Sequence, residues 1–237
     1  MERLCSSLRS RGFDVLQPFS TVWYNQHAKP IPTLIDLPVK SDGSGLPALL
    51  VGNSKSLWPF FMEDIRAKED ISSDPLDRFV QAKVNEALEE VCVTRSEVEV
   101  FYSFETAPDR LIAFQRLADV CGVAYLEESI HLCLHPTFGP WFALRAIIVF
   151  KSASDASMDV PLQMPARVQI AVDPDERQRG EMLLSKAIEA KQKKEPDAWR
   201  IWVNMRDAFS NGKEHRYSDH QLQYHYTKNK DLLATAV

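Results

Sequence analysis

Three apolar stretches follow one another with no room for a helix between them: VAYLE from Val123, IHLCLHP from Ile130 and WFALRAIIVF from Trp141. Parallel strands need a crossover of a dozen or more residues, usually a helix, so these read as antiparallel neighbours. A doubly wound parallel sheet is therefore excluded for the middle of the chain. SEVEVFYSFE adds a half-buried strand by its period of two, and PALLVGN reads as a buried strand leading through Gly52 and Asn53 toward a helix. The segment from Gly12, FDVLQPFSTVWYNQ, reads as extended.

Helices are signalled around these strands. Leu4 and Leu8 mark a short one stopping at Gly12, and SKSLWPFFMEDI another, with Pro59 as a kink point. Asp74 is placed to cap the helix that Pro75 opens, and Pro108 is placed to open a helix running to Gly122. Beyond a loop over 151–170 come three more: Asp173 with Glu176 as a capping box, Pro196 at the second start, and Ser218 with Gln221 at the third. The chain of 237 residues, 45% hydrophobic and 26% charged, suits one compact domain with insertions or an appendage, and two independent enzymes are excluded. The division expected is a core over 1–165 and a C-terminal helical segment over 166–237.

Composition limits function. A net charge of -5 disfavours nucleic acid or an anionic membrane as the main partner. Four cysteines without a C-x-x-C spacing read as free thiols in a reducing compartment. The N-terminus carries no apolar run of the signal-peptide kind, and the longest apolar stretch is too short to span a bilayer, so a cytoplasmic location is expected. With eight glycines, neither nucleotide-binding loops nor a G-x-S-x-G elbow occur. The VGNSKS turn could offer backbone N–H groups to a phosphate, although an ordinary strand-to-helix turn is the simpler reading. His215, His220 and His225, five apart, rotate by roughly 140° per step on a helix, so they cannot share a metal and read as solvated. Strand alternation puts His131, Cys133 and His135 on one face, lining either a wide flat ligand or an ordinary sheet face.

Two arginines break apolar patterns. Arg145 interrupts WFALRAIIVF on the face of Trp141, Ala143, Ile147 and Val149. Arg206 lies in the stripe Trp199, Trp202, Phe209. An unpaired buried charge costs several kcal/mol, so each must pair with a carboxylate, with Asp207 the nearest in sequence for Arg206, or hold an anion. A ligand with two carboxylates would satisfy both by bidentate contacts.

HPTFGPWFALR, GFDVLQPFSTVWYNQ, DPLDRFVQAKV and the run W-R-x-W, R-D, R-Y-S of the C-terminal helices together resemble the CblC (MMACHC) family of cobalamin-processing proteins, from Gly12 to about Tyr226. The HP-x-FG-x-WFA-x-R block is the most specific part. The resemblance implies an α+β fold similar to flavin nitroreductases, a three-layer α/β/α sandwich around a largely antiparallel sheet. It implies an enzyme that binds cobalamin base-off and removes the upper ligand of its cobalt. Alkyl groups would pass to glutathione, and cyanide would leave reductively with electrons from FAD or FMN, supplied indirectly by NADPH.

By position, the resemblance implies cobalamin contacts at Ser103, Ile112, Ala113, Phe114, Gln115, Leu126, Glu127, Glu128, Cys133 and Leu144. It implies glutathione contacts at Arg145 and Arg206. A third family arginine has no arginine counterpart; Lys228 and Lys230 are the candidates, with Lys230 taken here. No catalytic side chain and no protein ligand to a metal are expected, since cobalt and glutathione carry the chemistry. A downstream MMADHC-like trafficking protein is the implied partner, and the chain is expected as a monomer or a ligand-dependent homodimer. The alternatives are a nitroreductase-type flavin oxidoreductase and a non-catalytic cobalamin carrier.

Overall fold

The computed structural model describes residues 1–28, 33–68, 71–151 and 163–234. Four strands form one antiparallel sheet in the order β1 (Val15–Ser20), β2 (Pro47–Asn53), β6 (Ala143–Phe150), β3 (Val98–Tyr102). A short second ladder pairs β4 (Tyr125–Glu127) with β5 (Leu132–Leu134), also antiparallel. The chain adopts the expected antiparallel α+β class, but of the helix-free run only β4 and β5 pair with each other; β6, expected beside them, lies between β2 and β3 in the larger sheet.

Period-two alternation gives the sheet two apolar faces. Leu49, Val51, Ala146, Ile148 and Phe150 face a layer made by α1 (Glu2–Arg9), α3 (Leu57–Arg66), α4 (Pro75–Glu90), α8 (Asp219–Thr227) and α9 (Asp231–Ala234). Ala48, Leu50, Phe101, Ile147 and Val149 face α5 (Phe114–Val120) and the turn from α2 (Thr21–Trp23) through Ala28. Each fully buried Leu or Phe here contributes about 1.5–3 kcal/mol. The C-terminal hairpin of α6 (Pro174–Gln192) and α7 (Ala198–Asp207) leads to Ala208 and Phe209, which cover Ile130, Leu132 and Leu134 beside the small ladder.

Local expectations fare unevenly. Ser218 caps α8 by accepting the Gln221 N–H, and Asp173 caps α6 by accepting from Asp175. The reciprocal half of that capping box is absent, because Glu176 accepts the Ser210 N–H instead. Asp74 occupies the cap position of α4 without a side-chain bond. Pro59 falls in the first turn of α3, where its missing N–H has no intrahelical partner to lose, and α7 starts at Ala198, two residues beyond Pro196. Only Val15–Ser20 of the expected extended segment is strand; helical turns follow from Thr21.

The helix expected from Pro108 is broken. A 3-10 turn at Pro108–Arg110 stops at Leu111, which is extended, and α5 begins only at Phe114. Arg110 is held by Glu99, Glu105 and the Val100 carbonyl while lying over the Phe101 ring, and the Ala113 N–H donates to the Tyr24 hydroxyl. These tertiary bonds outweigh helix propensity, which is worth less than 1 kcal/mol per residue. The loop expected over 151–170 lies partly outside the described residues; 163–170 are irregular. Among the described residues no helix is long and apolar enough to cross a membrane.

Candidate functional site

A β-bulge decides where Arg145 points. β2 and β6 pair regularly from Ala48 with Val149 to Val51 with Ala146, and then Gly52 pairs with Leu144, leaving Arg145 as the extra residue. An inserted residue flips every later side chain to the opposite face. Arg145 is thus moved off the Ile147 and Val149 face expected for it, while Leu144 packs with the cluster containing those two residues. Gly52 is required there, since a Cβ would stand 2.6 Å from the Ala143 carbonyl oxygen.

Re-aimed in this way, Arg145 lines a pocket of about 170 Å³ with Phe142, Ala143, Arg206, Tyr217, Leu222, His225 and Tyr226. Its Nε donates to Asn53 Oδ1 at 2.7 Å, and Arg206 donates to the Pro140 carbonyl at 3.0 Å. Among the described residues neither guanidinium has a carboxylate within ion-pair distance. Asp207 pairs with Arg216 at 2.8 Å, and Asp77 acts on Arg145 only from farther away. Burial lowers the pKa of Arg145, yet a guanidinium stays charged, so the pocket holds two cations lacking anions.

The other polar groups reinforce this bias. Among the described residues the buried Tyr217 hydroxyl has no hydrogen-bond partner; neither has the indole N–H of Trp141, whose ring lies near the guanidiniums of Arg206 and Arg216. Burial, opposed by the two arginines, pushes the Tyr217 phenol up to about 12, so it is a donor at neutral pH. His225 is held well below the usual imidazole range, first by burial and then by Arg145, Lys228 and Arg206. It is neutral and lines the pocket, rather than being solvated. His220 likewise bonds the Leu232 carbonyl, and His215 packs edge-on against Phe138. A pocket offering this surplus of donors suits a ligand rich in acceptor oxygens and negative charge.

The HPTFGP loop touches the pocket through its Pro140 carbonyl, which accepts from Arg206. His135 Nδ1 accepts the N–H groups of Thr137 and Phe138, and its ring stacks on Phe138. Gly139 and Gly212 meet with no space for a Cβ on either, and Asn211 donates to the His135 carbonyl, joining the loop to the end of the C-terminal hairpin. His135 is therefore a local organiser. His131 lies outside β5 with φ 52 and is exposed, so the expected single face of His131, Cys133 and His135 is not formed. Among the described residues no three His, Cys, Asp or Glu side chains gather as a metal site.

Of the cobalamin contacts expected, Ile112, Ala113, Phe114, Leu126, Cys133 and Leu144 converge on one apolar cluster, which also contains Phe142. That cluster and the arginine pocket share Phe142 and so lie side by side. Gln115 spans α5 and β5, donating to the His131 carbonyl and, through its own carbonyl, accepting from the Cys133 thiol. Burial pushes that thiol up to about 12, so it is no nucleophile. Ser103 continues the β3 ladder by donating to the Arg145 carbonyl.

Three of the residues stand apart. Glu127 is buried against Arg177 at 2.8 Å, and Glu128 is an exposed partner of Arg116. Lys230 does not line the pocket and donates to the Ile71 carbonyl at 3.3 Å. The VGNSKS turn is occupied from within: Asp14 accepts the Ser54 N–H and the hydroxyls of Ser54 and Ser56. That carboxylate leaves no phosphate cradle.

Sequence reasoning missed Asn53, Tyr217, Tyr226 and the binding side of His225. Gly52 inside a strand was the available signal for the bulge, and the polar run R-Y-S was the signal for Tyr217.

Fold and site define an α+β sandwich with a pocket lined by two arginines where its sheet meets the C-terminal helices. The model of the methylmalonic aciduria and homocystinuria type C family matches residues 12–235, and the chain belongs to that family. A Danio rerio relative named cyanocobalamin reductase / alkylcobalamin dealkylase is 29% identical over 93% of this chain and 85% of its own length. The Homo sapiens protein of the same name is 27% identical over 94% and 76%. A solved structure, that of the Caenorhabditis elegans B12-trafficking protein CblC, described as a human MMACHC homologue, superposes with a TM-score of 0.72. It covers 98% of this chain and 93% of its own at 18% identity, showing the shared fold.

Proposed function

We propose that the chain binds cobalamin with its lower base displaced and removes the upper ligand of the cobalt, by glutathione-dependent dealkylation and by reductive decyanation. The observation that carries this reading is the pocket of two charged arginines without carboxylates, set against an apolar cluster large enough to form part of a corrin wall. Ile112, Ala113, Phe114, Leu126, Cys133 and Leu144 supply that wall, with Gln115 and Ser103 at its edge. Glu127 and Glu128, already paired with Arg177 and Arg116, and Lys230 are left out of the assignment.

Arg145 and Arg206 hold the glutathione carboxylates. Positioning of this kind turns a bimolecular transfer into an effectively intramolecular one, provided the sulfur sits ~3–3.5 Å from the carbon it attacks. Nearby guanidinium charge also favours thiolate over thiol. The thiol proton leaves to solvent, the thiolate attacks the methyl carbon, and the cobalt–carbon pair stays on cobalt as a S–C bond forms. Residues 1–165 provide the corrin wall and 166–237 complete the thiol site through Arg206, Tyr217 and His225.

Decyanation draws electrons from FAD or FMN recharged through NADPH. The Asp14 carboxylate fills the VGNSKS turn, so that turn is not assigned to a flavin phosphate. The setting is the cytoplasm, with an MMADHC-like protein receiving the product and a monomer or ligand-dependent dimer as the working form. Mixing pure protein with methylcobalamin and glutathione without oxygen tests the reading. The cobalt absorbance is expected to shift as the methyl leaves; a static spectrum would exclude dealkylation.

A further inference from the structure

The pocket contains a polar group that its own fold leaves idle. The Tyr217 hydroxyl is buried, with the whole residue 4% exposed, and no described atom accepts from it or donates to it. Native proteins satisfy nearly all such groups, because leaving one dry costs about 1–3 kcal/mol. Tyr217 also lines the pocket, together with Arg145 and Arg206.

Its placement is built with care. Asp207, the residue after Arg206, binds Arg216 Nε at 2.8 Å, and Arg216 Nη1 bonds both Asp219 and the Tyr217 carbonyl. Ser218 then caps α8. The backbone is thus pinned on both sides of Tyr217, and its ring is held against Trp141 with centroids 5.8 Å apart. The motif R-D, R-Y-S is a device for presenting one guanidinium and one phenol to the same space. A fold that fixes a donor so firmly without giving it an acceptor leaves that acceptor to come from outside.

We infer that Tyr217 is a ligand-binding residue whose hydroxyl donates to a carboxylate oxygen of glutathione, forming with Arg145 and Arg206 a three-point clamp. The inference rests on the glutathione reading of the pocket and deepens it: Lys230 faces Ile71, and a phenol takes the third position. A neutral third donor adds direction without a third buried charge, so the clamp binds two carboxylates with two cations and one directional bond.

Tyr217→Phe tests this, since it removes one oxygen and keeps the ring. Glutathione affinity, measured by titration into the cobalamin-loaded protein, is expected to fall by roughly 10-fold, the worth of a hydrogen bond to a charged group. Cobalamin affinity should hold. Unliganded protein should melt at the same temperature or up to ~4 °C higher, because the variant no longer buries an unpaired hydroxyl. A glutathione affinity changed less than 2-fold overturns the inference, and so does a loss of affinity accompanied by a fall in melting temperature, which would make the hydroxyl structural. Failure of the wild-type protein to bind glutathione would instead remove the pocket reading, and the inference with it.

Discussion

Replacing Arg145 by Met separates binding from stability. The side chain is a buried cation with one neutral hydrogen bond, to Asn53, and no described carboxylate within ion-pair range. Exchanging a buried ion pair for apolar chains of similar volume gains about 1–4 kcal/mol, and a cation without a partner has no ion-pair attraction to lose. Against this stands the Asn53 Oδ1 left buried without its donor, about 1–3 kcal/mol. The two nearly cancel, leaving stability within about 1 kcal/mol of the parent, or roughly 2–4 °C for a chain of this size. The same change removes a bidentate anchor from the ligand, worth about 3 kcal/mol, so glutathione-dependent dealkylation should weaken roughly 100-fold. Differential scanning calorimetry and dealkylation rates against glutathione concentration read the two effects separately. A variant that melts more than ~4 °C lower, or dealkylates normally, would refute the idea that Arg145 is a cation kept for a ligand.

Gly52→Ala should cost about 1–3 kcal/mol by urea denaturation, as the new methyl meets the Ala143 carbonyl at 2.6 Å and must spread the bulge that aims Arg145. For Glu127, burial raises the pKa but Arg177 and Ser129 prevail and hold it below the usual range. Its stabilising share is therefore present above the ordinary glutamate range and is lost as pH falls through the lowered value. Arg177→Met leaves Ser129 alone against burial. Stability at pH 7 should fall, by less than for a fully buried pair because Arg177 is 40% exposed, and should recover on acidification. Burial, with His215 adding to it and Asp14 opposing, lowers His135 from 6.5 to about 4. Between those values only the unfolded chain takes up the proton, so stability is lost as pH is lowered, at up to ~1.4 kcal/mol per unit; His135→Asn should flatten that limb of the unfolding curve.

How far the sequence was legible follows from the range of the forces involved. Elements set by local signals were readable: β2 from its unbroken apolar run, α4 from Pro75, α8 from Ser218, and the antiparallel β4–β5 ladder from strands without a crossover, whereas the placing of β6 between β2 and β3 was not. The two arginines were readable as anomalies because charge in an apolar stripe needs an explanation at any address. Their surroundings were not. Alternation through WFALRAIIVF predicts the wrong face for Arg145, since one inserted residue inverts the pattern and only Gly52 hinted at it. The break at Leu111 depends on Tyr24, 89 residues from Ala113, and the Asp14 lock on Ser54 spans 40. Long-range hydrogen bonds of this kind leave no periodic trace.

The most direct test follows the methyl group itself. Protein loaded with trideuteromethyl-cobalamin and given glutathione without oxygen should yield S-trideuteromethyl glutathione by mass spectrometry, and the Arg206→Ala protein should retain the vitamin yet form the product at least 10-fold more slowly. Label that stays on cobalt, or transfer that proceeds equally well without Arg206, would contradict the assignment of this pocket.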